Sequence, residues 1–309
     1  MVQNGYKDGR KHITKVYHYA TIDSTNEQAK KLAREGAPHG TLVVADAQTK
    51  GKGRLGRSFY SPENRGIYMS VILRGESSKP ESCDIFARLT RALGDLSVTA
   101  AAAVSACKGI ETTCGACCDI KWVNDIYLCG RKVCGILAEA GQSPGSRAID
   151  FVVVGIGVNC VGSALEFPSE LQGRAGSISE AKETAFEGGE ASRADKGGFF
   201  ADVGTAEGRK RLALAIAEEL LACAAGEYPA EMLLEEYKRR CFIIGKDIYI
   251  YRNACGGRGV GLDENGAAIP GIPARAIGID KSGGLLVRYP DGKEAVLTDG
   301  EVSVRLKKA

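Results

Sequence analysis

Two features of the loop Gly51–Ser58, GKGRLGRS, bear on chemistry: Lys52, Arg54 and Arg57 alternate with glycines, and Lys50 just before it adds a fourth cation. Cationic donors on a backbone freed by glycine suit an anion such as a phosphate. Read literally, the spacing also fits a dinucleotide fingerprint, G-x-G-x-x-G, and a phosphate loop with arginine in place of its lysine. Both need a helix opening at the loop, because its free amides and dipole hold the phosphates. Here SFYSPENRGIYMSVIL follows, with Pro62, Asn64 and Gly66 inside the would-be helix. No helix is expected there, and both literal readings fail. What remains is a flexible loop that closes over a phosphate-bearing ligand.

The bulk numbers narrow the classes. A chain of 309 residues with 44% apolar content can fill a core, and a net charge of +3 is too mild for a protein whose main partner is nucleic acid. No leader-like apolar segment follows the N-terminal cations and no run approaches bilayer length, so the expectation is a cytoplasmic protein without a membrane partner. Eleven cysteines without regular spacing fit reduced thiols better than a disulfide framework. Cys114, Cys117 and Cys118 in CGACC include one C-x-x-C, but a zinc site needs a second ligand pair, and none is evident. With three histidines, all near the N-terminus, a histidine metal centre or a dispersed triad is poorly supported.

The elements that must carry the loop follow from periodicity. ITKVYHYATI reads as a strand and DSTNEQAKKLAREG as a helix ending at Gly36, with Ser24 and Glu27 forming a capping box. That places Ser24, Thr25 and Asn26 at a helix N-terminus. TLVVADAQ and GIYMSVILR are strands on either side of the glycine loop. An alanine-rich helix is expected over roughly 92–108, a hairpin turning at Cys129-Gly130, and a buried strand in AIDFVVVGIGVNC. Residues 183–206 read as a mobile insertion, helices resume in EGRKRLALAIAEELLACAAG and AEMLLEEYKRR, and short strands after Phe242 form a small β-barrel or meander. The fold class is α+β, a mixed sheet flanked by helices, divided as 1–241 and 242–309.

Three separated segments together resemble the biotin protein ligases. GKGRLGR is similar to that family's G-R-G-R-x-G-R, KWVNDI at Lys121–Ile126 to K-W-P-N-D, and GIGVN at Gly155–Asn159 to G-x-G-x-N; DSTN, GRKVCGILAE and FPSEL fall in the expected order. The resemblance covers about Val16 to Leu306. It implies a catalytic domain related to class II aminoacyl-tRNA synthetases followed by an SH3-like domain. It also implies a monofunctional ligase that binds no DNA, since about fifteen residues precede the first strand. A homodimer through the central sheet is a further expectation of the family. The implied reaction forms biotinyl-5′-AMP from biotin and ATP with Mg2+, then passes biotin to a lysine of a biotin carboxyl carrier protein or domain. Neither step needs an enzyme nucleophile, only cations around the reacting phosphate and a lid against water.

The resemblance also implies roles. Ser24, Thr25, Asn26, Gln48, Gly51, Lys52, Gly53, Arg54, Lys121, Gly135 and Gly155 would bind biotin. Lys52, Arg54, Arg57, Phe59, Lys121, Asn124 and Asn159 would bind ATP, and Asp125 would meet the metal. Lys121, Arg54 and Arg57 would be catalytic, with Trp122 packing beside them. Three departures stand out: Lys52 for arginine, which predicts a looser hold on the adenylate; Phe59 for tryptophan, which keeps a smaller ring to stack on adenine; and Val123 for proline, which loosens the turn after Lys121. Lipoate–protein ligase shares the chemistry but would carry an R-R-x-S-G-G-G type loop. A biotin-binding module without catalysis is the other alternative.

Overall fold

The structure, a computed structural model, describes residues 3–6, 10–75, 85–145, 148–181, 202–252, 270–298 and 302–306. Eight strands form one sheet: β1 (Gln3–Tyr6), β2 (Lys15–Ile22), β3 (Thr41–Gln48), β4 (Gly66–Arg74), β5 (Asp119–Lys121), β6 (Asp125–Leu128), β7 (Arg131–Gly141) and β8 (Phe151–Asn159). Their order is β1-β2-β3-β4-β8-β7-β6-β5. β2 and β3 pair in parallel, joined by helix α1 (Thr25–Arg34), while every other adjacent pair is antiparallel. The sheet is therefore mixed, as the sequence predicts. The hairpin turns at Cys129-Gly130, both with positive φ (47° and 74°), the backbone that a two-residue turn requires.

Strand alternation divides the sheet into two faces. On one, Met69, Val71 and Leu73 of β4 and Val152, Val154, Ile156 and Val158 of β8 join the main core. That core is covered by α2 (Ile85–Leu93), α3 (Val98–Cys114), α4 (Ala206–Ala224) and α5 (Ala230–Arg240). On the other face, Val43, Ile72, Phe151 and Val153 pack under Ala29 and Ala33 of α1. Further along this second face several positions are small, while Tyr68 on β4 and Leu137 on β7 keep bulky side chains. Ser70 on β4, Gly155 and Gly157 on β8, and Gly135 on β7 continue the same rows past the N-terminus of α1, with Ser70 opposite Gly155 and Gly135 opposite Gly157. The strip is a hollow between larger side chains, entered by Asn26 over Gly155 and by the Phe59 ring over Gly157.

Two sequence expectations shift. The alanine-rich helix spans Val98–Cys114 rather than 92–108, because Gly94 adopts φ 59° and ends α2, and the Ser97 side chain accepts from the Ala100 amide to start α3. The capping box is absent: Ser24 sits at the N-cap position but its side chain makes no cap bond, and Glu27 turns to lysines instead. The expected insertion at 183–206 lies, up to residue 201, outside the described residues.

The C-terminal part is a five-stranded antiparallel sheet: β9 (Asp247–Arg252), β10 (Ile272–Ile279), β11 (Leu285–Arg288), β12 (Glu294–Leu297) and β13 (Val302–Leu306), ordered β12-β11-β10-β9-β13. Among the described residues β12 and β13 do not pair, so this sheet is open. Its inner side, including Ile248, Ile250, Ala276, Leu285 and Val304, joins the main core.

Candidate functional site

At the N-terminus of α1 a chain of hydroxyl and amide hydrogen bonds, ending on the Glu139 carboxylate, lines the hollow. Gln48, the last residue of β3, accepts from the Thr25 amide (2.8 Å) and hydroxyl (3.1 Å) through Oε1, so it supplies the cap that Ser24 does not. Its Nε2 donates to Ser61 Oγ (3.0 Å), and Ser61 donates to the Phe59 carbonyl (2.9 Å). The Ser70 hydroxyl is shared between Thr25 Oγ1 (2.9 Å) and Asn26 Oδ1 (2.6 Å). Asn26 gives its Nδ2 to Glu139 (2.8 Å), which also holds Lys30 (2.8 Å). A carboxylate can only accept here, so Glu139 fixes which way the Asn26 amide points. Ser24, Thr25, Asn26, Ser61 and Ser70 are all buried. Such a closed, directional network presents a few defined donors and acceptors to a polar, uncharged group.

The glycines are required by contact. A Cβ on Gly155 would lie 2.0 Å from Asn26 Oδ1, and one on Gly51 would lie 2.5 Å from the Phe59 carbonyl and 2.6 Å from Ser61 Oγ. The glycine loop forms a short hairpin: Gly53 N–H donates to Arg57 O (2.7 Å), Phe59 N–H to Gly51 O (2.8 Å), and Lys52 bridges to Ser58. Between them Arg54–Gly56 makes a single 3₁₀ turn, with Leu55 and Gly56 at positive φ. No α-helix starts at the loop, in accord with the sequence. The Phe59 ring lies over the two paired glycines, within 2.5 Å of a Cβ placed on Gly157 and 3.2 Å of one on Gly135, and meets Tyr68 edge-on.

Beyond Phe59 the site turns cationic. Arg54 donates to Asn124 Oδ1 (3.2 Å), and Asn124 Nδ2 donates to the Ile136 carbonyl (2.8 Å), which ties the loop to β7. Burial lowers the pKa of Lys121; Asp125 opposes the shift, while Lys132, Arg305 and Arg57 reinforce it. Arg57 is exposed at its rim yet crowded by protein, and its pKa is also lowered, first by desolvation and then by Arg305 and Arg54. These cations raise one another's energy, a cost that a polyanion between them would remove.

The structure thus brings together Ser24, Thr25, Asn26, Gln48, Gly51 and Gly155 at one end, and Arg54, Arg57, Lys121, Asn124 and Asp125 at the other, with Phe59, Gly135 and Gly157 between. Lys52 points back to Glu27 on α1, and Asn159 donates to the Gly176 carbonyl (3.1 Å). Sequence reasoning missed three residues. Lys132 pairs with Asp125 (2.5 Å) and its Nζ lies 3.2 Å from a Cβ placed on Gly135; Glu139 orients Asn26; Arg305, on β13, acts electrostatically on both Lys121 and Arg57. A hint existed for Lys132, which shares its strand with Gly135.

As a metal ligand Asp125 already has Lys132 as a partner, and among the described residues no group of three or more His, Cys, Asp or Glu could hold an ion. The thiols of CGACC lie elsewhere: Cys117 is exposed, while Cys114 and Cys118 are buried. The Cys118 pKa is raised by a hydrogen bond with Cys107 and by burial. No helix among the described residues is long and apolar enough to cross a membrane.

Comparison with known proteins finds relatives of the segment that carries this site. Residues 18–159 match the biotin/lipoate A/B protein ligase family. The bifunctional ligase/repressor BirA of Bacillus spizizenii is 44% identical over 160 residues, which cover 52% of this chain and 45% of the relative. A biotin–[acetyl-CoA-carboxylase] ligase of Paracoccus denitrificans is 37% identical over 145 residues, covering 47% and 54% respectively. The chain thus spans about half the length of the curated relatives it matches. In structure, the biotin protein ligase from Aquifex aeolicus in complex with biotin and ATP aligns over 94% of this chain and 99% of its own, with a TM-score of 0.61 and 23% identity, a likeness of fold. The strands and glycines that build the hollow fall inside the matched segment, and residues 18–159 are a biotin/lipoate A/B protein ligase domain, homologous to biotin–[acetyl-CoA-carboxylase] ligases.

Proposed function

We propose that the chain joins biotin to ATP and transfers the biotinyl group to a lysine of a carrier domain. The observation that carries this reading is the polarity of the hollow. A network of hydroxyls and amides around Thr25, Asn26, Gln48 and Ser70, anchored on Glu139, lies at one end, and a crowd of cations at the other, with a glycine floor between. Biotin has the same layout, a ureido ring at one end and a carboxylate at the other.

In the first step a biotin carboxylate oxygen attacks the α-phosphorus of ATP, the bond to the bridging oxygen breaks, and pyrophosphate leaves with the electron pair. Arg54, Arg57, Lys121 and Lys132 would offset the charge that spreads over the phosphate oxygens. A neutral carrier amine then attacks the carbonyl of the mixed anhydride, loses a proton and expels AMP. Phe59 and the loop over Gly135 and Gly157 would keep water from the anhydride. Magnesium would arrive with the ATP phosphates, as that ion favours one or two carboxylates plus phosphate oxygens, and Asp125 is the carboxylate at this end. We place the C-terminal sheet in the SH3-like class, with the domain boundary near residue 241 between α5 and β9. Cys107, Cys114, Cys117, Cys118 and Cys160 being free thiols supports a reducing, cytosolic setting.

The test is incubation with biotin, ATP, magnesium and an apo carrier domain, read by carrier mass and pyrophosphate release. The biotinyl mass increment on one carrier lysine is expected. Binding without pyrophosphate release would mean a binding module instead. Lipoate run in parallel decides the alternative: its dithiolane has no N–H for Asn26 or its neighbours, so transfer of lipoate in place of biotin would overturn the assignment.

A further inference from the structure

Lys121 and Asn124 stand at the ends of a turn whose Asn124 end is tied to β7, its Nδ2 donating to the Ile136 carbonyl (2.8 Å) and its own carbonyl accepting from the Ile136 amide (3.1 Å). β5 is only Asp119–Lys121, and the residue after Trp122 is valine, which leaves its backbone freer than a proline would. The stretch from Cys118 to Val123 takes further support from outside. From one side, α5 and the residues that follow it take three carbonyls of this segment in succession. Arg240 Nη1 donates to Cys118 O (3.0 Å), the Phe242 amide to Ile120 O (3.2 Å), and the Tyr237 hydroxyl to Val123 O (3.0 Å). From the other side, Trp122 Nε1 donates to the carbonyl of Gly283, in the turn between β10 and β11 (2.9 Å). Val123 and Tyr237 are 1% and 0% exposed, so the bond between them is sheltered from water.

We infer that Tyr237 is a positioning residue for the ATP end of the site. By fixing the carbonyl between Trp122 and Asn124, it sets where the Asn124 amide meets Arg54 and where Lys121 projects. Arg240 holds the same segment but also pairs with Glu111 and Glu236, so its loss would disturb the helix packing as a whole. Tyr237 is the more selective handle, because phenylalanine keeps its ring in the core and removes only the hydroxyl. The inference adds a second role for α5: it grips the turn from one side, while Gly283 of the C-terminal sheet holds it from the other. Its effect must be local to the ATP end, since Thr25, Gln48, Ser61 and Ser70 close their hydrogen bonds without it.

This inference rests on the adenylation reading for its consequence, but its test does not need turnover. ATP affinity is measured by calorimetry on the full chain and its Tyr237→Phe variant, at a temperature well below either melting point, alongside biotin affinity without ATP. ATP binding should weaken about ten-fold and biotin binding should stay within about two-fold. Trp122→Phe, which removes the other sheltered bond, should act in the same direction, and the double variant should lose less than the product of the two, because both bonds serve one turn. Tyr228→Phe is the control: its hydroxyl donates to Glu219 on α4 (3.0 Å) and not to the 118–124 segment, and its loss should leave both affinities unchanged. Equal ATP affinity in Tyr237→Phe and the parent chain overturns the positioning role, as does a parallel loss of biotin affinity, which would mark a general loosening of the fold. Failure of the parent chain to release pyrophosphate would instead strike the proposed reaction, with the affinity comparison still readable.

Discussion

At the α1 end of the hollow, Thr25, Asn26, Gln48, Ser61 and Ser70 satisfy one another before any ligand arrives; at the far end, burial and then neighbouring cations, Arg305 among them, lower the proton affinity of Lys121 and Arg57. One end is complete and stable as it stands, and the other is held under electrostatic stress by the fold around it. The difference matches what each end would bind. A neutral ureido group is recognised by a few directional bonds, which rigid partners make most selective. A phosphate whose charge grows during reaction is best met by cations already in place, whose repulsion is relieved only when that charge appears.

The sharpest way to break this contrast is Lys121→Met. Biotinyl transfer should fall about a hundred-fold or more, yet the protein should become more stable, with Tm rising on the order of 2 °C. The sign follows from the lowered pKa of Lys121, whose main cause is burial. Below its folded-state pKa the native protein carries a charge that the unfolded chain tolerates better. That penalty disappears as pH rises through the folded pKa towards the ordinary lysine value of 10.5. The stabilisation by methionine should therefore be largest at neutral pH and fade in alkali, as thermal melts across pH will show. A lower Tm at neutral pH, or transfer near the parent level, would remove the stressed end from the comparison.

A smaller effect separates the ends by adding one methyl group to each. In Gly155→Ala the new Cβ would sit 2.0 Å from Asn26 Oδ1, within the closed network, whereas in Gly157→Ala it would meet the Phe59 ring at 2.5 Å. The first should cost biotin affinity about ten-fold and stability about 1–3 kcal/mol, because a tight polar network must shift. The second should move a ring on a loop, sparing biotin and weakening ATP by a few-fold. Isothermal titration of each ligand against each variant decides it. If both variants lose the same ligand, the hollow has one functional end rather than two.

How far these ends could be read in advance depends on the range of the interactions. Near-continuous apolar runs such as TLVVADAQ and GIYMSVILR give their strands with the observed bounds, because burial on both faces leaves a purely local record. The glycine loop was legible for the same reason, since Pro62 and Gly66 exclude a helix locally. Ser24 was misread as a box-forming cap because Gln48, 23 residues further along in the partner bond to Thr25, takes that task across the parallel pair β2–β3. Lys132, Glu139 and Arg305 escaped because each acts through space, across a hairpin, onto α1, or from the last strand of the other sheet. Local pattern therefore gives the scaffold and the loop, and long-range pairing decides which charges share a site.

The weakest expected effect concerns Lys52, which stands where the family resemblance places arginine. The structure gives it a partner, Glu27, which also holds Lys30 (2.7 Å), and Lys30 in turn reaches Glu139 (2.8 Å) behind Asn26. A compact ammonium can share one carboxylate with a second lysine where a planar fork would compete for both oxygens. Both members are well exposed, with side chains at 45% and 36%, so the coupling between Lys52→Met and Glu27→Gln should be below about 1 kcal/mol and vanish near 0.5 M salt. The Glu27 pKa is lowered by its bonds with Lys30 and then Lys52, so its contribution is present above the ordinary value of 4.5 and is lost as pH falls through the lower folded value. A double-mutant cycle on thermal stability at two salt concentrations measures it. A coupling above about 2 kcal/mol, or one indifferent to salt, would make the loop a fixed part of the scaffold. A weak, screened pair instead lets the loop exchange Glu27 for a ligand phosphate at little energetic cost, and the Lys52→Arg variant should then retain biotinyl-AMP longer than the parent chain.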